Sequence, residues 1–261
     1  MEKPQTVQAA IAYMKPDDEL FSKEKPYVSL VPFLAKGANF TNTEVDEHIM
    51  EIANVRGRES EFDLDKNGFA YVPYKPKETP GHDVQSPDHP YMREISEFLR
   101  DYLGATEVTP YDANASYDQI SLAYKDYHSI PNCKWRVQQL MAEKKKEMPK
   151  RWELINIWVP IKGPVRGSPL AVCDYQTVLR DDLVAVDSVF PHRVMEVYHV
   201  KHNPSHRWYY MEEQDIDDLL ILKSWDSEED KACCCIHTAI IPDPDVKTIR
   251  ESIEIRFIVE Y

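Results

Sequence analysis

Three side chains near the C-terminus have types and spacing that could do chemistry: His237, Arg250 and Ser252. A neutral imidazole is a good metal ligand. The planar guanidinium fork of an arginine suits a planar carboxylate, and a serine hydroxyl two residues on would stand beside it. The competing reading of Arg250 is an ion pair with a glutamate on a neighbouring strand. Residues 250–259 alternate, so Arg250, Ser252, Glu254 and Arg256 share one strand face while Ile253, Ile255 and Phe257 share the other. Cys233 and Cys235 would lie on a face with His237 and invite a zinc site. Tetrahedral zinc usually takes paired ligands from two knuckles, and the chain has no Cys-x-x-Cys, so these cysteines read as buried strand residues.

Placing these groups calls for strands. Residues 217–223, 233–239 and 250–259 read as three in succession. Residues 44–55 read as a strand or short helix, and Asn67-Gly68 suggests a hairpin turn into a strand over 69–72. Asp88 is placed to cap a helix starting at Pro90, with Met92, Ile95, Phe98, Leu99 and Leu103 on its apolar face and Gly104 as its stop. Further strands are predicted at 116–127, 154–160, 169–173, 194–200 and 206–211, with an amphipathic helix at 132–146. Residues 1–45 alternate short apolar pieces with prolines and read as an irregular lead-in. Many short strands with few helices imply a mainly β fold: a jelly-roll core (a double-stranded β-helix, cupin-like) with flanking α-helices. No linker interrupts it, which predicts one domain over 1–261.

Composition narrows the partners. The net charge of -14 argues against nucleic acid and anionic membrane surfaces, both of which need clustered Lys and Arg. No signal pattern and no apolar run long enough to span a bilayer is found, so a soluble, cytoplasmic protein is expected. Five cysteines, three of them adjacent, suit a reducing compartment. Only seven glycines occur, and none forms a dinucleotide-binding or phosphate-cradling motif.

Several segments together carry a resemblance. They are Ile155-Asn156-Ile157-Trp158-Val159-Pro160, Ser168-Pro169-Leu170-Ala171-Val172-Cys173-Asp174, His206-Arg207-Trp208-Tyr209-Tyr210, Leu220 to Lys223 with Asp226-Ser227, His237-Thr238-Ala239, and Arg250-Glu251-Ser252-Ile253-Glu254. From about residue 45 onward the chain resembles the fungal hydroxylase/desaturase family similar to cephalosporin 7α-methoxylase components and gibberellin desaturase. Its members are iron(II)/2-oxoglutarate oxygenases of secondary metabolism, including meroterpenoid pathways. The resemblance implies His237 as an iron ligand and Arg250 with Ser252 as the grip on the far carboxylate of 2-oxoglutarate. It also implies a His-x-Asp pair ahead of Arg136-Val137, which falls on Tyr124-Lys125-Asp126. Asp126 matches. Tyr124 stands where the first histidine belongs.

A phenol with a reference pKa near ~10 must lose a proton to bind well, and phenolate favours ferric over ferrous iron. Asp126 and His237 alone should hold iron weakly. His128 is a substitute ligand, since Asp126-x-His128 is the motif reversed, at a displacement of ~7 Å along the strand. His206 is a lesser ligand candidate, read as a pocket or packed residue. Asn156, Trp158 and Tyr210 are candidates for the cavity wall or the core, and His192, His199 and His202 carry no pattern.

Two functions follow from the resemblance. One is a catalytically impaired subunit that forms a heterodimer with an active homologous oxygenase, like the non-catalytic member of a heterodimeric meroterpenoid oxygenase, with a hydrophobic small molecule as the substrate of the pair. The other is an active dioxygenase that uses iron(II), 2-oxoglutarate and O2 on such a metabolite.

Overall fold

The structure is a computed structural model describing residues 6–32, 37–117 and 130–261. In chain order its elements are β1 (Thr6–Met14), α1 (Asp18–Phe21), β2 (Tyr27–Ser29), β3 (Val45–Asn54), α2 (Leu64–Asn67), β4 (Phe69–Pro73), α3 (Pro90–Leu103), β5 (Glu107–Tyr117) and α4 (Ile130–Lys144). There follow β6 (Trp152–Lys162), β7 (Leu170–Cys173), β8 (Leu183–Phe190), β9 (Arg193–Val200), β10 (Trp208–Tyr210), β11 (Asp218–Asp226), β12 (Ile236–Ala239) and β13 (Glu251–Glu260).

The major sheet has the order β4-β11-β6-β13-β5, and every pair in it is antiparallel. Its central strand β6 has Trp152 through Pro160 buried, as expected of a strand covered on both faces. Alternation on β13 separates the two faces as the sequence predicts. Ile253, Ile255 and Phe257 turn to one side, where α3 lays Met92, Ile95 and Leu99 against them. Each such fully buried side chain contributes about 1.5–3 kcal/mol. The opposite face meets the minor sheet, ordered β1-β3-β10-β7-β12. Trp158, Leu220 and Leu222 of the major sheet pack there with Leu170 and Val172 of the minor sheet. This double-layer closure is the jelly roll. A third sheet, β2-β8-β9, lies beside it, and Val200 and Leu183 pack on the outer face of the minor sheet.

Four expectations need correction. Residues 1–45 are not simply irregular: β1 pairs with β3 over nine positions, because Ala9, Ile11 and Tyr13 supply an apolar face that the outer core takes up. Asn67-Gly68 does not turn a hairpin. Asp63 accepts hydrogen bonds from the Asp65 and Lys66 amides, so it caps a short helix that Gly68 ends in the left-handed conformation (φ 81°). The cap of α3 is His89, whose Nδ1 accepts from the Tyr91 amide at 3.2 Å, rather than Asp88. Finally, Cys233, Cys234 and Cys235 precede β12 instead of belonging to it, so they do not share a strand face with His237. The strand expected at 116–127 begins earlier, at Glu107, and its part beyond Tyr117 lies outside the described residues.

Candidate active site between the two sheets

His237 sits on β12 opposite Val172 of β7, which in turn pairs with Tyr209 of β10. Its neighbour Ile236 belongs to the outer core, so alternation turns His237 toward the space between the sheets, where it is buried. The imidazole Nδ1 lies 3.0 Å from the Cys235 carbonyl oxygen. A carbonyl only accepts, so Nδ1 carries the proton and Nε2 keeps its lone pair for a ligand. Metal-binding histidines are usually oriented in this way.

Arg250 stands just before β13 and is 7% exposed. Its Nη1 donates to the Ser168 carbonyl at 2.8 Å, and its Cζ lies 5.5 Å from the centroid of the Trp158 ring. Carbonyl and indole together fix the plane of the guanidinium. Two residues on, Ser252 is fully buried on the same face, and its Oγ has no hydrogen-bond partner among the described residues. A buried hydroxyl left unbonded costs about 1–3 kcal/mol. Beside a buried guanidinium, this donor suits a carboxylate oxygen, and the far carboxylate of 2-oxoglutarate fits both groups. His237 fits iron as one imidazole ligand.

Farther along that face, Arg256 is committed to Asp112 at 2.6 Å and to Glu254 at 3.0 Å. Glu254 also accepts a close hydrogen bond from Nδ2 of Asn156. Asn156 and Trp158 therefore belong to the inner wall. Tyr210 does not, since it packs in the outer core with Trp208.

His206 also lies outside the site. Its Nε2 is 3.1 Å from Asp182 and its Nδ1 is 3.4 Å from the Tyr13 hydroxyl, which engages both ring nitrogens on the outer side of the minor sheet. His202 stacks on His48 at 3.6 Å near the same tyrosine, and burial together with His48 lowers its pKa. Asp65, Glu153 and Asp226 cluster closely enough to hold a cation. Lys223 Nζ already fills that position at 2.6, 2.8 and 2.7 Å, with Arg151 at its side, so the cluster is an internal ion network. Tyr124, Asp126 and His128 lie outside the described residues. Sequence reasoning missed the roles of the Ser168 and Cys235 carbonyls, because backbone groups leave no signature in residue type.

Comparison with known proteins bears on the family and the fold. A family profile described as "Oxidoreductase/YMDC permease-like domain" matches residues 11–260. Among the described residues, no helix is long and apolar enough to cross a membrane. The hydroxylase/desaturase efuI of Hormonema carpetanum is 28% identical over 245 residues, covering 80% of this chain and 82% of that protein. The Fe(II)/2-oxoglutarate-dependent dioxygenase nvfI of Aspergillus novofumigatus is 23% identical over 97% of this chain and 96% of its own. A solved variant of the iron and alpha-ketoglutarate-dependent endoperoxidase NvfI superposes with a TM-score of 0.86 at 20% identity, covering 100% of this chain and 99% of that one, which establishes the fold. The chain belongs to this oxidoreductase family, and it is similar to fungal proteins named as hydroxylase/desaturases and as Fe(II)/2-oxoglutarate-dependent dioxygenases.

Proposed function

We propose that this chain serves fungal secondary metabolism as a 2-oxoglutarate-binding subunit with an impaired iron site of its own. It acts by pairing with an active homologue, whose fold it stabilises or whose substrate pocket it shapes. One observation carries the reading: the sequence has Tyr124 two residues before Asp126, where the resemblance expects a histidine, while His237, Arg250 and Ser252 match it. Iron(II), when bound in such a site, supplies the oxygen activation that oxidises the co-substrate and then the substrate. This chain's residues do the holding. Arg250 neutralises the far carboxylate, Ser252 donates to it, and Trp158 backs the guanidinium. His237 offers Nε2, and the apolar walls from Leu220, Leu222 and Val172 keep water out. With a phenol in place of the second imidazole, ferrous affinity falls and the geometry loosens.

The second reading is an active enzyme in which His128, or another donor, replaces the missing ligand. It rests on His128 lying two residues beyond Asp126, the motif in reverse order.

One experiment separates the two readings. The chain is purified alone and with a homologous oxygenase, and bound iron and succinate released from 2-oxoglutarate are measured. The impaired-subunit reading expects substoichiometric iron and negligible succinate from the lone chain, a partial gain from Tyr124→His, and turnover by the pair that survives Arg250→Ala in this chain. Stoichiometric iron with turnover by the lone chain would sink it.

A further inference from the structure

On β6 the residues Leu154, Asn156 and Trp158 share one face, as do Glu254, Arg256 and Ile258 on β13. That inner face carries two apolar clusters. Trp158 belongs to one, with Leu220 and Leu222. Leu154 and Ile258 belong to the other, under Val137 and Met141 of α4. Between them runs a polar belt of Asn156, Glu254 and Arg256. β5 completes it. Its register with β13 slips between Arg256, opposite Asp112, and Phe257, opposite Pro110, so Tyr111 is an extra residue in the ladder. A bulge of this kind re-aims a side chain. The Tyr111 ring accordingly packs with the cluster of Leu154 and Ile258, on the inner face beside Arg256.

Two atoms of this belt stand unused. Nδ2 of Asn156 donates to Glu254, and a carboxylate only accepts, which fixes the amide's orientation. Its Oδ1 is then a buried acceptor with no partner among the described residues. The Tyr111 hydroxyl is likewise buried with no partner among them. Burial pushes its pKa up, so it keeps its proton, with Arg256, Asp112 and Glu254 among the charges that face it. We propose that these two atoms recognise one neutral hydroxyl group on an otherwise apolar small molecule bound between the sheets. This substrate class rests on the reading of the inter-sheet space as an oxygenase chamber and deepens it.

A hydroxyl suits both atoms at once. Its proton goes to Oδ1 of Asn156, and its oxygen accepts from Tyr111. A ketone only accepts, so it would leave Oδ1 buried and unpaired, which costs more than the missing bond. Charged groups fit worse. Arg256 is already engaged by Asp112 at 2.6 Å and Glu254 at 3.0 Å, two carboxylates to one cation, so a carboxylate or phosphate would be repelled. An ammonium would lose its water shell to meet carboxylates that are already paired. The co-substrate's far carboxylate is held elsewhere: Ser252 faces Pro160, four residues from Asn156, or about 13 Å along the strand. Across the sheet, Asn156 and Asp112 flank Arg256 from either side, two strand spacings or about 10 Å apart, and the tyrosine next to Asp112 spans part of that gap.

Ligand-observed NMR titration of the full chain with borneol, its ketone camphor and its amine bornylamine, three probes on one apolar skeleton, tests this. Borneol should bind about tenfold or more tighter than either of the others. Asn156→Leu should erase the preference over camphor. Tyr111→Phe, which removes only an unbonded hydroxyl, should keep the fold and weaken borneol about tenfold. Camphor or the amine binding as tightly as borneol overturns the assignment. So does a preference that survives both substitutions, or no borneol binding up to its solubility. If Asn156→Leu unfolds, Tyr111→Phe decides alone, and an unchanged borneol affinity overturns it. Titrating 2-oxoglutarate into the native chain keeps the two readings apart. A chain that binds it but does not prefer the alcohol overturns the substrate class alone. A chain that prefers the alcohol but ignores 2-oxoglutarate overturns the co-substrate reading alone.

Discussion

Ser252 holds a hydroxyl without a hydrogen-bond partner among the described residues, in a place where an apolar side chain would pack at less cost. That cost makes a two-sided prediction. Ser252→Ala should raise the melting temperature of the ligand-free chain, because the unbonded donor is gone. The same change should weaken 2-oxoglutarate binding by about tenfold, the usual worth of a hydrogen bond to a charged group. Arg250→Ala should weaken binding by about a hundredfold or more, since it strips the counter-charge from a buried carboxylate. Titration calorimetry and scanning calorimetry on the same samples check both sides. Weakened binding with an unchanged melting temperature would mean that the hydroxyl is already satisfied. The types and spacing of His237, Arg250 and Ser252 were legible in the sequence. Their orientation was not, because it rests on the carbonyl oxygens of Cys235 and Ser168.

Lys223 ties three elements together: α2 through Asp65, β6 through Glu153, and β11 through Asp226. Removing its ammonium leaves three carboxylates facing one another, so Lys223→Met should cost about 3–5 kcal/mol, measured by denaturant unfolding. The cluster also sets a pH dependence. Burial acts to raise the Asp226 carboxyl, but hydrogen bonds from Glu153, Arg151 and Lys223 outweigh it and hold the group at about 2. A depressed carboxylate stabilises the fold above its ordinary value near ~4, and that contribution drains away as pH falls toward about 2. Glu153 runs the other way: burial, with its hydrogen bond to Asp226, raises its pKa. Its contribution is present below pH ~4 and is lost as pH climbs through the raised value. Glu153→Gln should therefore flatten the high-pH decline in melting temperature while keeping the acid decline. None of this convergence could be read from the chain, because Asp65, Glu153 and Lys223 are far apart in sequence. By contrast, the two-residue alternation of β13 and the helix from Pro90 to Gly104 were readable, since each has a period and a stop. At Asn67-Gly68 the same kind of reading failed, because the Asp63 cap outweighed the hairpin preference of the dipeptide.

At the scale of the whole molecule, the jelly roll was legible as a count of short strands, while the role of the first fourteen residues was not. β1 looked like lead-in because it was read together with the proline-broken apolar pieces of residues 1–45. In place it buries Ile11 and Tyr13 and completes the minor sheet. Deleting residues 1–14 should thus remove several kcal/mol of stability, at about 1.5–3 kcal/mol per large buried side chain, and lower the melting temperature in a calorimetric scan. An unchanged transition would mean that β1 is an ornament on an otherwise complete core.

Gly68 couples these scales. A methyl group at this position would run into the Cys234 carbonyl oxygen, so the turn leaving α2 and the segment leading to β12 rest directly against each other. One residue farther along that segment, the Cys235 carbonyl holds the imidazole of His237. The bearing of the His237 imidazole thus rests in part on a close contact 169 positions upstream (68 to 237), where the absence of a side chain is the working part. A side chain at position 68 would turn that imidazole without touching it.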